Sequence, residues 1–256
     1  MNEIRTEKDV QAVAELAAAE AWRALTNAIA EYGHAVWLLA GGTAPMAAYR
    51  MLATKYANKL DWDKVVFALG DERYVPIDDP DSNWRQIAEA LLDPLKIPDD
   101  HRLRPPVEKT TPEAAAAVYE QMLMSLPRTP QAAIRFDLVW LGVGEDGHTL
   151  SLFPGRNDAF ADAYTVAVHE SPKPPADRLS LTFMALTGVQ QCVIIATGAG
   201  KAQIMARALQ HDSRLPIVQA AKVVEDTGGK VSWLLDEQAA RSTAPATSQI
   251  NNVLPA

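Results

Sequence analysis

The chain has 256 residues, 48% of them hydrophobic, with 24 Lys and Arg against 32 Asp and Glu. That length and composition suit one soluble domain with a full core, and the net charge of −8 disfavours non-specific binding to nucleic acid or an anionic membrane. An anionic small substrate would need a local basic pocket. No apolar run approaches the roughly 20 residues of a membrane span, and the polar opening Asn2, Glu3, Arg5, Glu7 is not a signal peptide, so a cytoplasmic location is expected. Cys192 is the single cysteine and lies in the apolar run QQCVIIATG, which excludes an intrachain disulfide and marks a buried thiol rather than a nucleophile.

From about Lys8 to Tyr32 apolar residues recur at helical spacing through Val10, Val13, Leu16, Trp22, Leu25 and Ile29, predicting a long amphipathic helix. Ala35 to Ala40 reads as a short buried strand, then Gly41, Gly42, Thr43 and Pro45 lead into a helix reaching about Tyr56. Strand, glycine turn and helix are the outline of a phosphate site, because glycines admit an anion to the backbone and a helix N-terminus offers free N–H groups. Such turns are also common without a ligand. Val65 to Gly70 is a third strand, with Asp71, Glu72 and Arg73 at its exit. Arginine there is either a solvated group or a fork for phosphate oxygens. The loop with Asp78, Asp79 and Asp81 lacks calcium-loop spacing and reads as solvated, and Ser82 or Asn83 is placed to cap a helix to about Leu92.

Pro94 to Pro112 carries five prolines and reads as a connection; Glu113 to Leu126 reads as a helix. Tyr164 to Val168 and Arg178 to Thr182 read as strands around a proline-rich surface loop, Ser171 to Asp177, that contains Lys173 and is suited to cover an anionic ligand. Cys192 to Thr197 is another buried strand, followed by Gly198, Gly200 and Lys201 at the start of a helix to Leu209. A lysine at a helix N-terminus opposes the dipole, and a nearby anion would account for it. Val231 to Leu235 is a last strand and Glu237 to Ala240 a short helical turn. Repeated strand, glycine and helix units predict a doubly wound, mostly parallel, Rossmann-like α/β sheet. One domain is expected over residues 1–241, with 242–256 a loosely ordered tail.

The central stretch is Phe136 to Gly155, FDLVWLGVGEDGHTLSLFPG. Its apolar half suits a strand covered on both faces, and Gly142, Gly144 and Gly147 crowd the exit. Ligands bind at the carboxyl ends of strands in such sheets, which would bring Asp146 and His148 to the mouth of a site. A carboxylate two residues before a histidine can fix its tautomer, and imidazole suits proton transfer near neutrality. A plain turn with a surface histidine is the competing reading. No Gly-x-Ser-x-Gly elbow is present, and Ser151 reads as part of the turn or a helix start.

Together LAGGTAP, GDERYVPIDDPDSN, GVGEDGHTLSLFPG, RLSLT and TGAGKAQIM resemble, in order over residues 38–205, the signature blocks of the 6-phosphogluconolactonase family. The resemblance implies the fold of the sugar-phosphate deaminases and isomerases, hydrolysis of 6-phosphogluconolactone in the pentose phosphate pathway, and no metal or organic cofactor. It implies that Gly41, Gly42, Thr43, Arg73, Arg178 and Lys201 surround the substrate phosphate and that His148 transfers protons. Asp71, Asn83 and Asp146 fall on matching polar positions. Ala44 departs from the threonine that many members carry before the proline, leaving Thr43 as the hydroxyl there. The implied partner is a sugar-phosphate lactone, with no nucleic acid and no membrane; the oligomeric state is not specified. Two alternatives share these blocks: a glucosamine-6-phosphate deaminase/isomerase, whose histidine segment continues to an asparagine-glutamate-proline stretch where this chain has Phe153 before the proline, and a non-catalytic sugar-phosphate sensor.

Overall fold

The computed structural model describes residues 3–108 and 111–243. Four of its strands, β2 (Ala35–Leu39), β3 (Val65–Leu69), β6 (Leu138–Gly142) and β9 (Gln191–Ala196), are almost wholly buried. Alternate residues of each strand enter different cores. Val36, Leu38, Val139, Leu141, Cys192 and Ile194 face one side, while Trp37, Leu39, Leu138, Trp140, Val193 and Ile195 face the other. Two apolar faces are why these strands read as continuous apolar runs.

With β1 (Glu3–Glu7), β5 (Arg102–Leu103) and β10 (Lys230–Asp236) they form a seven-stranded sheet in the order β1-β10-β9-β6-β2-β3-β5. Every pairing in it is parallel. Helices α1 (Val10–Tyr32) and α2 (Met46–Lys55) cover the Trp37 face, where Trp37, Tyr49 and Trp140 pack ring on ring. The opposite face is covered by α4 (Pro112–Met124), α5 (Ala202–Leu209), α6 (Pro216–Asp226) and α7 (Glu237–Ala240). This is the doubly wound α/β fold that the sequence predicts.

The structure adds three elements to the sequence reading and relocates another. β1 precedes the first helix and pairs with β10, β5 lies inside the proline-rich connection and pairs with β3, and α6 follows α5. Asp71–Arg73, read as a strand exit, is itself a strand, β4, in a separate antiparallel sheet ordered β4-β8-β7 with β8 (Arg178–Leu181) and β7 (Thr165–Val168). The small sheet sits where β3 ends, because Gly70 carries the chain directly from one to the other. Of the C-terminal tail proposed from the sequence, residues 244–256 lie outside the described residues.

Two tyrosines fix where the strands stop. The Tyr49 hydroxyl accepts from the Ala40 N–H and donates to the Ala40 carbonyl, each at 3.0 Å, just past the end of β2. The Tyr119 hydroxyl does the same for Leu69, at 2.8 and 2.7 Å, at the end of β3. Buried backbone groups need partners, and once a tyrosine supplies them the chain is free to leave the sheet. Both exits turn toward the site.

Candidate active site

After β2 the chain continues to β3 on one side, whereas β6, β9 and β10 lie on the other. The switch between β2 and β6 is where an open α/β sheet presents a crevice at its carboxyl edge. A cavity of about 210 Å³ lies there. Gly41, Gly42, Thr43, Asp71, Arg73, Asn83, His148, Arg178 and Lys201 all line it, joined by Lys173. Every residue singled out from the sequence is therefore on the cavity wall except Asp146, which stands behind the histidine.

His148 is held from behind. Its Nδ1 lies 2.5 Å from Asp146 Oδ1, and its backbone N–H donates to the same oxygen at 3.2 Å. The carboxylate makes Nδ1 the protonated nitrogen and leaves Nε2 with its lone pair. Burial opposes the charge on Asp146, but the hydrogen bond and charge of His148, its backbone N–H and Lys173 outweigh it, holding the carboxyl well below the usual carboxylate range. The loop is closed by Gly144 N–H to the His148 carbonyl at 2.8 Å and Gly147 N–H to the Gly144 carbonyl at 2.9 Å. The imidazole lies so close over Gly144 that a Cβ there would collide with it. On its other side it packs on Phe153, with ring centroids 4.7 Å apart.

The cations come from three places. Arg73 and Arg178 are cross-strand partners in the β4–β8 ladder. Two like charges directly opposite each other destabilise a sheet unless an anion joins them. Arg73 donates through Nη1 to the Asp81 carbonyl at 2.7 Å, and its buried Nε has no partner. Lys201 is half-buried in the turn after β9, and its ammonium has no hydrogen-bond partner among the described residues; burial pulls its proton affinity down, opposed chiefly by Glu145. Lys173 reaches in from the proline-rich loop, its Nζ 3.8 Å from Asp146.

Glu72 organises the wall that carries Arg73 and Asn83, and its role is not visible from the sequence. Fully buried, it accepts from the N–H groups of Arg73, Asn83 and Trp84 at 2.7, 2.7 and 2.9 Å and from the Ser82 hydroxyl at 3.0 Å. It thus binds the start of α3 (Asn83–Ile87), which Ser82 caps, to β4. Burial raises its carboxyl's proton affinity, and these four donors oppose the shift. Asn83 Nδ2 then donates to the Asp71 carbonyl at 2.9 Å, with its Oδ1 left unpartnered beside Gly41. Ser151, read as a turn residue, donates to Asp71 Oδ2 at 2.7 Å. Free N–H groups at a helix start attract a carboxylate, but Ser82, Asn83 and Trp84 lie ten to twelve residues beyond Glu72, so no local pattern pairs them with it.

A profile of the glucosamine-6-phosphate isomerases/6-phosphogluconolactonase family matches residues 8–233. The chain belongs to this family. Among members of the glucosamine-6-phosphate isomerase/6-phosphogluconolactonase family, the 6-phosphogluconolactonase of Streptomyces coelicolor is 35% identical over 254 residues, covering 94% of this chain and 96% of that protein. The 6-phosphogluconolactonase of Rattus norvegicus is 38% identical over 192 residues, covering 74% and 72%. The solved structure of 6-phosphogluconolactonase from Trypanosoma brucei superposes with a TM-score of 0.81 at 28% identity over 95% of this chain and 99% of that one. A monomeric glucosamine-6-phosphate deaminase shares the fold with a TM-score of 0.78 at 20% identity, covering 94% of this chain and 99% of its own.

Proposed function

We infer that the chain hydrolyses 6-phospho-D-glucono-1,5-lactone to 6-phospho-D-gluconate, a step of the pentose phosphate pathway, with His148 as general base. The observation that carries this reading is a histidine oriented by Asp146 inside a cavity that also gathers Arg73, Arg178, Lys173 and Lys201 in an otherwise acidic chain. Four cations around one crevice suit a phosphate ester, which carries about −1.5 to −2 charges at neutral pH.

A lactone is an ester, so its hydrolysis needs a proton acceptor for water, charge stabilisation at the carbonyl and a proton for the departing oxygen. Nε2 of His148 takes a proton from water as the oxygen attacks the lactone carbon, and the carbonyl becomes an oxyanion. Asp146 stabilises the imidazolium that results. As the oxyanion collapses, the bond from the carbonyl carbon to the ring oxygen breaks, and the imidazolium returns the proton to that oxygen. The new carboxylic acid then ionises to solvent. No covalent enzyme intermediate and no added group are needed. In this reading Arg73, Lys201 and the Gly41-Gly42-Thr43 turn face the phosphate, and Asp71 and Asn83 accept or donate to sugar hydroxyls. Thr43 supplies the hydroxyl that Ala44 lacks. In the same reading one lactonase domain spans residues 1–241 and works in the cytoplasm.

Phe153, buried against the imidazole, puts a hydrocarbon ring where a ring-opening deaminase needs an acid. The test is an assay on freshly prepared 6-phosphogluconolactone coupled to oxidation of the 6-phosphogluconate formed, corrected for spontaneous hydrolysis, beside ammonia release from glucosamine 6-phosphate. Catalysed lactone opening without ammonia is expected. Ammonia release, or tight binding without turnover, would replace this reading by the deaminase or the sensor.

A further inference from the structure

The proline-rich loop after β7 reads from the sequence as a mobile cover, yet in the structure it is tied down by an arginine that lines the cavity. Arg178 is buried at the first position of β8. Its Nε donates to the Pro175 carbonyl at 3.2 Å, and its Nη2 donates to the carbonyls of Lys173 and Pro174, both at 3.0 Å. Nη1 reaches the Ser151 hydroxyl at 3.5 Å. A guanidinium has five N–H groups in a fixed fork, so four of the five are spent on the protein. The guanidinium also lies 5.7 Å from the ring centroid of Phe153, the residue on which His148 packs. An arginine whose main task was to fork onto a phosphate would keep its paired N–H groups free for it. Arg73, across the ladder, does so to a far greater extent, with one donor bound to Asp81 and a buried Nε unpartnered.

The loop end of these contacts is equally specific. The Ser171 hydroxyl donates to the Lys173 carbonyl at 2.9 Å and accepts from the Lys173 N–H at 3.3 Å. Lys173 is thus held by its backbone from two sides while its ammonium hangs into the cavity beside Asp146. We propose that Arg178 is a positioning residue, a latch that holds the 171–177 loop shut so that Lys173 stands against the Asp146–His148 pair. Lys173 is the member of the loop that acts: its ammonium stands 3.8 Å from Asp146 and partly offsets the negative charge behind His148. The charged groups around the pair are Glu145 on its own turn, Lys173 on the loop, Lys201 on the turn after β9 and Arg178 on β8. Among these only Lys173 depends on the latch for its place.

The rate predictions rest on the lactonase reading, but the structural one does not. Hydrogen exchange of residues 171–177 is therefore measured first, without substrate, in the wild type and in Arg178→Lys, which keeps the charge and loses the fork. Loss of three charge-assisted bonds should speed exchange there on the order of tenfold or more, and unchanged protection overturns the latch whether or not the protein is a lactonase. Hydrolysis of 6-phosphogluconolactone and of unphosphorylated gluconolactone is then compared. A latch makes Arg178→Lys lose kcat on both to a similar degree, whereas a loss confined to KM for the phosphorylated lactone overturns the proposal in favour of a phosphate ligand. Lys173→Met, at a side chain outside the hydrophobic core, should shift the acid limb of the kcat/KM profile to higher pH, and should add little to Arg178→Lys in the double variant. An unmoved acid limb, or losses that multiply in the double variant, rejects the role given to Lys173.

Discussion

The two walls of the cavity are built on different scaffolds. The wall with His148, backed by Asp146, and with Lys201 and the Gly41-Gly42 turn hangs from the carboxyl ends of buried parallel strands, and its turns are fixed by glycines or by a tyrosine at the strand end. The wall with Arg73 and Arg178 belongs to a three-stranded antiparallel sheet, joined to the main sheet through Gly70 and organised by one buried carboxylate, Glu72. The proposed base therefore hangs from the rigid sheet, whereas Arg73, the arginine with donors to spare, belongs to the smaller one. Changes at His148 and at Arg73 should accordingly separate into losses of kcat and losses of KM.

Replacing His148 by alanine should have the largest effect. A positioned base contributes about 10²- to 10⁴-fold, so turnover should fall by that order while KM changes little, measured after subtracting spontaneous hydrolysis. Wild-type turnover in this variant would leave the histidine a structural role. Gly144→Ala attacks the same wall without replacing a titratable group. Its Cβ must push the imidazole aside, and displacement of about 1 Å costs on the order of 10² in rate, so kcat should fall with the proton-transfer groups intact. Arg73→Ala sharpens the other wall. Charged hydrogen bonds are worth roughly 1.5–3 kcal/mol, which predicts a loss of about 10- to 150-fold in kcat/KM for the phosphorylated lactone and little for gluconolactone. Equal losses on the two substrates would remove the phosphate from this wall.

The smallest effect concerns the root of the loop, where His169 bridges Asp177 and Glu113, at 2.8 Å to each. The hydrogen bond to Asp177, then that to Glu113, raises the imidazole's proton affinity. A raised folded-state value means that the stabilisation is complete below the ordinary histidine value near 6.5 and is lost as pH climbs through the raised one. Exchange at the 169–177 loop, corrected for its intrinsic pH dependence, should therefore quicken a few-fold toward alkaline pH, and His169→Gln should abolish that trend. These side chains are exposed, so the change in overall stability is small.

The strands of the first wall were legible because a strand buried on both faces writes an uninterrupted apolar run, and the glycines after Leu39, Leu141 and Ala196 mark its exits. β1 was not legible: Glu3–Glu7 alternates charge at a sheet edge and carries little apolar signal. β5 is two residues long among prolines, too short to set a period. The small sheet was hidden for another reason. Asp71–Arg73 gains strand character only from pairing with Arg178–Ser180, more than a hundred residues later, and no local pattern reports that distance. Glu72 was hidden by the irregular loop that returns Asn83 and Trp84 to it, and the loop of Lys173 was legible as a cover but its placement beside Asp146 was not. Arg73 and Arg178 looked equivalent in sequence, and only the carbonyls around Arg178 distinguish them.

The tyrosines that end β2 and β3 give the site an optical signature. Burial raises the ionisation of Tyr49 and Tyr119 far above the ordinary phenol value near 10, and neither hydroxyl has access to solvent base while its strand end is intact. In an alkaline absorbance titration two of the six tyrosines should stay silent in the native enzyme and ionise only as the chain opens. Because both phenols release their protons on unfolding, stability must decline as pH passes about 10. The late rise in tyrosinate absorbance then reports the loss of the two strand ends that frame the cavity, read in the ultraviolet with no substrate present.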